Sequence, residues 1–581
     1  MAHNYMEVLT MENVRKLTRR DFLKGAAKTA AVVAVSGALP SIIGCSGDSS
    51  SGVVYDTLIR GGEVYDGMGN EPRIADIGII GDRIVAIGNL TGGGLRAIDA
   101  QGLLVCPGFI DVHTHVDLTY LLLEPIEDWG AVKDLTGSFN YLYQGVTTVV
   151  GGNCGAGYPE INLFFHQLDT LGGYGTNICT LAPHGLIRQY LFFDPQPEHP
   201  LTTAQLLFMK GWLETQMQQG TIGLSTGLEY DPGSYSDTTE LIELAKVVRK
   251  YDGLYTSHTR DQTGTGVPPT NWGVLGSIDE AIKIGIEADI PVHVSHLQVT
   301  KPWGDNVTAE QILEKIENAR QGPAAIDITG CIHTYNIGWG PLNYRLPQKY
   351  KKGNGIKDYY KTGKGRDEVT QAIEYVFVHY VPAKDIWICS YEANPDYNLK
   401  SLAELPHIHG NEGKTPADCF VDIVAKDPDV PVPFAYSDEI CGEIKDGIIP
   451  GDHIFMSSDG LASSEDRDTP IVHPRSFNNA TRVLTDFVLP AKDAQMDLPS
   501  AIRKMTSLPA DKFKLRERGR IEEEYFADIV VINREKLKSH ATWEHENIYS
   551  EGVEYCLVNG VLAIDNGKAT DQRAGKILRR G

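Results

Sequence analysis

Between residues 54 and 105, apolar and polar positions alternate in short runs broken by glycine: "DTLIRGGEVYDG", "ADIGIIGDRIVAIGNL" and "LRAIDAQGLLV". A period of two is the pattern of half-buried strands. The same texture returns near the C-terminus in "ADIVVINREKL" and "VEYCLVNGVLAIDNGK", where Asn559-Gly560 and Asn566-Gly567 suit two-residue hairpins. Residues 54–105 and 520–581 are therefore expected to form one small β domain, a β-sandwich built from both ends of the chain.

Between these ends the period lengthens. Asp237-x-x-Glu240 opens a helix with Leu241, Leu244, Ala245 and Val248 on one face, Gly253 ends it, and "LYTSH" follows as a strand. Ser277-x-x-Glu280 opens another that leads to "IPVHVSH", and Thr308-x-x-Gln311 a third that leads to "AAIDIT". Each start reads as a capping box, in which the first and fourth side chains satisfy orphan backbone donors. Repeated helix-then-strand units predict a parallel sheet, and residues 106–519 are enough for an α/β fold of the (β/α)8 TIM-like barrel type. In such barrels chemistry sits at the C-terminal strand ends.

Those ends carry metal-capable side chains. In "CPGFIDVHTHVDLTY", residues 106–120, the run Phe109 to His115 reads as a strand, so His113 and His115 leave the backbone on one face with Asp111 beneath them. "GVTTVVGGNC" ends at Cys154, "GLYTSH" at His258, "IPVHVSH" at His296 and "HIFMSSD" at Asp459. Singly, each has an ordinary reading: a solvated loop histidine, an inert buried thiol, a core histidine bonded to backbone, an Asp capping a turn. Six at the same end of one barrel point instead to a metal site. Thiolate and imidazole suit zinc, which lowers the pKa of water from 15.7 toward about 7. Asp459 is placed to accept that water's proton and pass it to a leaving nitrogen. The class of reaction is metal-assisted hydrolysis of a small-molecule substrate.

Charge and the N-terminus narrow the picture further. A formal charge of −23 over 581 residues, without a basic stripe, speaks against nucleic acid as a partner. The nine cysteines show no paired C-x-x-C spacing, so neither a zinc ribbon nor a disulfide framework is indicated. Arg19-Arg20 before Asp21-Phe22-Leu23-Lys24 and a short apolar stretch resemble a twin-arginine export signal, and Ile42-Ile43-Gly44-Cys45 resembles a lipobox. Residues 1–45 are expected to be the signal and 46–53 a flexible tether. The protein is then periplasmic or at the cell surface, touching membrane only through a lipid on Cys45. The sequence leaves its oligomeric state open.

"PGFIDVHTHVD" resembles the first-strand motif of the amidohydrolase superfamily. Over residues 54–581, "GVTTVVGGNCG", "GLSTGLEYDPGSYSDTTELIELAKVV", "YTSHTRD", "VHVSHLQV", "SSDG", "HPR" and "AIRKMTSLPADKFKLRERGRIEEEYFADIVV" resemble, in order, the N-acyl-D-amino-acid deacylase (D-aminoacylase) family. The resemblance implies a metal-dependent barrel beside a β domain, with a tight zinc site at Cys154, His258 and His296. It also implies a weaker second site bordered by His113, His115 and Asp459. Arg475, with help from Tyr230, would hold a substrate carboxylate. Two departures stand out. Gln298 replaces a Lys that family members commonly carry, leaving Lys301 or Arg260 as candidate substitutes. The family's next aromatic stretch is replaced by "DITGCIHTYNIGWGPLNY", after which residues 341–378 read as a polar insertion, either a cover over the site or a surface excursion. The enzymatic alternative is a cyclic-amide hydrolase of the hydantoinase or dihydroorotase type, which would favour a bridging lysine over Cys154. The non-enzymatic alternative is a lipoprotein ligand-binding module, which would have no use for Asp459.

Overall fold

The Asp237 side chain accepts the Glu240 N–H at 2.8 Å and so starts the helix Thr238–Lys250, whose Leu241, Leu244, Ala245 and Val248 are buried. The chain turns back and enters a strand, and this unit repeats around a barrel. The computed structural model describes residues 53–122, 135–192, 198–262, 272–299, 307–347, 350, 355–379, 381–388, 391, 393–426, 431–434, 438–465, 472–489, 494–542 and 545–580. The proposed signal and lipobox lie outside them.

Eight strands form the barrel: β1 (Phe109–Asp111), β2 (Val146–Gly151), β3 (Asn177–Thr180, continued by Ala182–Pro183), β4 (Gly223–Gly227), β5 (Leu254–His258), β6 (Val292–Val294), β7 (Ile328–Ile332) and β8 (Ile454–Met456). Neighbours pair in parallel from β1 round to β8. The ring closes just beyond β1 and β8, where Asp459 N–H bonds the His113 carbonyl at 2.8 Å and His115 N–H bonds that of Gly460 at 2.7 Å. Asp111 secures this seam by accepting the N–H of Ser458 at 3.0 Å and that of His113 at 3.2 Å. Interior positions such as Val112, Val150, Leu181, Ile222, Leu254 and Phe455 form one apolar plug, which makes the barrel a packed scaffold for its upper rim.

The chain ends meet in a nine-stranded sheet that pairs Leu104–Pro107 with Ile529–Ile532. Ile59, Ile77, Ile84 and Ile98 from the first half share a core with Ile529, Val531 and Leu557 from the second. The two expected layers are thus joined by hydrogen bonds into one continuous sheet. The last residues leave it: Leu578 N–H bonds the Ile178 carbonyl at 2.8 Å, running the tail along β3 of the barrel.

Three local expectations differ from the structure. Regular strand ends at Asp111 and not at His115, because residues 112–115 bend to pair with the loop after β8. Ser277 lies inside the helix Gly273–Ala288, and its hydroxyl accepts the Asp261 N–H at 2.9 Å instead of capping the helix start. The insertion extends well past residue 378. It leaves β7 through Gly338–Pro341, returns through the antiparallel Pro431–Phe434, and encloses its own core, in which Val369 and Ile373 pack with Phe420 and Val424. A helix ending at His379 cannot close that core without the later helix Pro416–Lys426.

Candidate metal centre

Each candidate side chain is set at the upper rim by the strand before it. Cys154 sits three residues after β2 in a short turn, His258 is the last residue of β5, His296 follows β6 by two, and Asp459 follows β8 by three. Cys154, His296 and Asp459 have φ of 53°, 22° and 50°, the left-handed region that non-glycine residues avoid. Strain at three such positions, of order 1–3 kcal/mol each, is typical of side chains aimed by their surroundings. One surrounding contact explains a glycine: a Cβ on Gly227 would lie 2.1 Å from the Cys154 carbonyl oxygen, so only glycine lets β4 approach that turn.

Six side chains converge into two groups that share Cys154. In the first, Cys154 Sγ lies 3.2 Å from His296 Nε2 and 3.6 Å from His258 Nδ1, and those two nitrogens are 3.1 Å apart. Tetrahedral coordination with Zn–N near 2.0–2.1 Å and Zn–S near 2.3 Å requires ligand–ligand edges of about 3.3–3.6 Å. The group therefore fits one ion of that size. In the second, His113 Nε2 lies 3.3 Å from Cys154 Sγ and 3.4 Å from Asp459 Oδ1, and His115 Nε2 lies 3.0 Å from the same carboxylate oxygen. His113 and His115 thus converge as expected, but on Asp459.

Burial and neighbours set the charge states. Burial works against an ionised Asp459, yet Arg475 above all, then His113 and His115, hold its pKa well below the usual carboxylate range. Arg475 Nη2 lies 2.7 Å from Asp459 Oδ2. Burial lowers His113 to about 4 and puts His296 well below its ordinary value. It also pushes the Cys154 thiol far up, with Asp459 adding to the shift. His113 and His296 consequently offer neutral nitrogen lone pairs, beside one carboxylate and a thiol that ionises only when a cation compensates it.

The remaining candidates take distinct places. The Tyr230 hydroxyl lies 3.0 Å from His258 Nδ1. Gln298 donates from Nε2 to the Tyr335 carbonyl at 2.8 Å and lies 3.1 Å from His333 Nδ1. Arg260 is committed elsewhere, to Glu280 at 2.8 Å, and Lys301 lies outside the described residues. Sequence reasoning missed several participants. Glu229 lies 3.3 Å from His258 Nε2, Gln262 bonds the His296 carbonyl at 2.8 Å, and His333 touches Arg475 Nη1 at 3.1 Å. His333 follows β7 directly, so the strand-end rule that found the others would have found it.

A (β/α)8 barrel whose upper rim gathers a thiol, four imidazoles and a carboxylate defines a metal-dependent hydrolase. A model of an amidohydrolase family matches residues 96–188 and 451–564. The chain is 29% identical over 550 residues to an N-acyl-D-glutamate deacylase of Alcaligenes xylosoxydans xylosoxydans, covering 90% of this chain and 96% of that protein. It is 28% identical to a D-aminoacylase of the same organism, covering 90% and 98%. Among solved structures, a D-aminoacylase superposes with a TM-score of 0.71 at 26% identity, covering 90% of this chain and all of that one. N-acyl-D-glutamate deacylase from Bordetella bronchiseptica, solved with zinc and a phosphonate inhibitor, gives 0.70 at 27% identity, covering 90% and 99%. The chain is similar to amidohydrolases in the segments that the family model matches, and to D-aminoacylases along nine-tenths of its length.

Proposed function

We propose that this protein is a zinc-dependent hydrolase that cleaves the amide bond of N-acyl-D-amino acids or related carboxylate-bearing amides. The observation that carries this reading is the ionised Asp459 held between Arg475 on one oxygen and His113 and His115 on the other, beside the Cys154–His258–His296 triangle. Zinc held by Cys154, His258 and His296, with a second ion at His113, His115 and Asp459 if it binds, would polarise the amide carbonyl and acidify water.

This chain's residues do the rest. Asp459 takes the proton of the attacking water and returns it to the leaving nitrogen; Arg475 keeps that carboxylate ionised at the start and fixes its orientation. The Glu229 carboxylate approaches His258 Nε2 and sets the plane of the ring with Nδ1 toward the metal position, while the Tyr230 hydroxyl lies on that metal-facing side. Arg475 offers a guanidinium to the substrate carboxylate, a planar donor matched to that anion. Support for the amide and the D-amino acid comes from the relatives' substrates, which their names state, and Cys154 in the place of a bridging lysine weighs against the cyclic-amide alternative.

The test is a turnover screen of the zinc-loaded protein on paired N-acetyl-D- and N-acetyl-L-amino acids and on cyclic amides. Release of acetate from the D series supports the reading; turnover confined to cyclic amides overturns it. We also propose export by the twin-arginine route with lipidation at Cys45, on the motifs at Arg19-Arg20 and Ile42 to Cys45. Replacing both arginines by Lys should strand the protein in the cytoplasm, whereas Cys45→Ala should leave it exported without lipid. Membrane attachment of both variants outside the cytoplasm contradicts this.

A further inference from the structure

The imidazole of His333 faces an N–H donor on each side. The Tyr335 backbone N–H points at Nδ1 from 3.3 Å, and Gln298 Nε2 lies 3.1 Å from the same atom. On the other side Arg475 Nη1 lies 3.1 Å from Nε2. A neutral imidazole has one nitrogen lone pair and one N–H, so it accepts on one side only. Turning the Gln298 amide over does not help. Its Nε2 donates to the Tyr335 carbonyl at 2.8 Å, and the swap would set two oxygens against each other.

The backbone donor is fixed, while the guanidinium ends a long side chain. The lone pair therefore belongs on Nδ1 and the proton on Nε2. His333 Nε2–H and Arg475 Nη1–H then confront each other where the two residues are only 0% and 3% exposed. Arg475 Nε is a further buried donor that meets no hydrogen-bond partner among the described residues. A buried donor left unmet is destabilising, and an entering acceptor recovers that cost.

We propose that His333 is a substrate-binding residue: its Nε2–H and Arg475 Nη1–H together hold one oxygen of the substrate carboxylate, and Gln298 is the positioning residue that keeps the His333 proton on Nε2. This rests on the reading of the substrate as a carboxylate-bearing amide and deepens it. With Asp459 already on Arg475 Nη2 at 2.7 Å, the pocket offers one shared guanidinium and one neutral donor. That combination suits a single monoanionic carboxylate.

The experiment compares zinc-loaded wild type, His333→Leu, His333→Gln and Gln298→Leu on N-acetyl-D-leucine, N-acetyl-D-glutamate and the α-carboxamide of each, with zinc content measured on every preparation. Gln at position 333 returns an amide N–H near the place of Nε2. His333→Leu should raise KM for the free acids about tenfold or more with kcat changed by less than about threefold, lowering the preference for acid over carboxamide. His333→Gln should recover most of that preference, and Gln298→Leu should fall between them. Equal proportional losses on acids and carboxamides, or a His333→Gln variant as impaired as His333→Leu, would make the role structural and overturn the proposal while the substrate reading stands. Failure of the wild type to turn over any of the four compounds removes both.

Discussion

Arg475 and Asp459 are joined at 2.7 Å, so the cation assigned to the substrate also orients the group assigned to the proton. The two tasks cannot be separated by mutation. Arg475→Lys loses the fork that reaches Asp459 and His333 together, and should lower kcat as well as raise KM for substrates with a free carboxylate. Truncating one member of a buried charged pair costs about 2–5 kcal/mol. Steady-state kinetics on acid and carboxamide substrates check this. A rise in KM alone, with kcat intact, would show that Asp459 does not depend on Arg475.

Asp459→Asn should leave the backbone undisturbed, because asparagine tolerates the left-handed conformation at φ 50°. It cannot accept a proton. We expect kcat to fall by roughly 10²–10⁴, the span that general acid/base groups contribute. Near-parental turnover with zinc bound would remove Asp459 from the proton path.

Stability in acid should depend on Glu240, which is buried against the helix beside the Cys154 turn. Burial opposes its charge, but His184 and then Arg188 outweigh it and bring its pKa from 4.5 to about 2. A carboxylate lowered in this way stabilises the fold fully above 4.5, and that contribution disappears as pH falls toward 2. Glu240→Gln leaves Arg188 buried without its anion and should destabilise by about 3–5 kcal/mol at pH 7. The gap from wild type should narrow steadily below pH 4.5 in denaturant titrations. A gap unchanged between pH 6 and pH 3 would contradict the assignment.

The metal-facing residues were legible in the sequence because a parallel barrel puts every functional side chain where an apolar run stops. Cys154, His258, His296 and Asp459 each end such a run. Helix starts were legible where the cap was local: Asp237 and Thr308 accept the N–H groups of Glu240 and Gln311. Ser277 carried the same letters, but a long-range bond to Asp261 claimed its hydroxyl. The position of His333 directly after a strand was legible by the same rule, but the role of its ring was not, because it depends on Tyr335, Gln298 and Arg475, which meet only in the folded barrel. The extent of the insertion escaped for a similar reason. Its apolar positions are spread over residues 342–424 and form a core only when the stalk Gly338–Pro341/Pro431–Phe434 brings its ends together.

The account depends most on Cys154 as the residue common to both donor groups. The measurement is elemental zinc analysis of wild type, Cys154→Gly and His113→Ala, each purified and dialysed identically. Glycine is chosen because it accepts φ 53° without strain, so any loss reports the thiolate and not the backbone. The account predicts zinc in the wild type, its loss with nearly all activity in Cys154→Gly, and substantial retention in His113→Ala, whose nitrogen is a donor of the second group and not of the first. Full zinc retention in Cys154→Gly would contradict it.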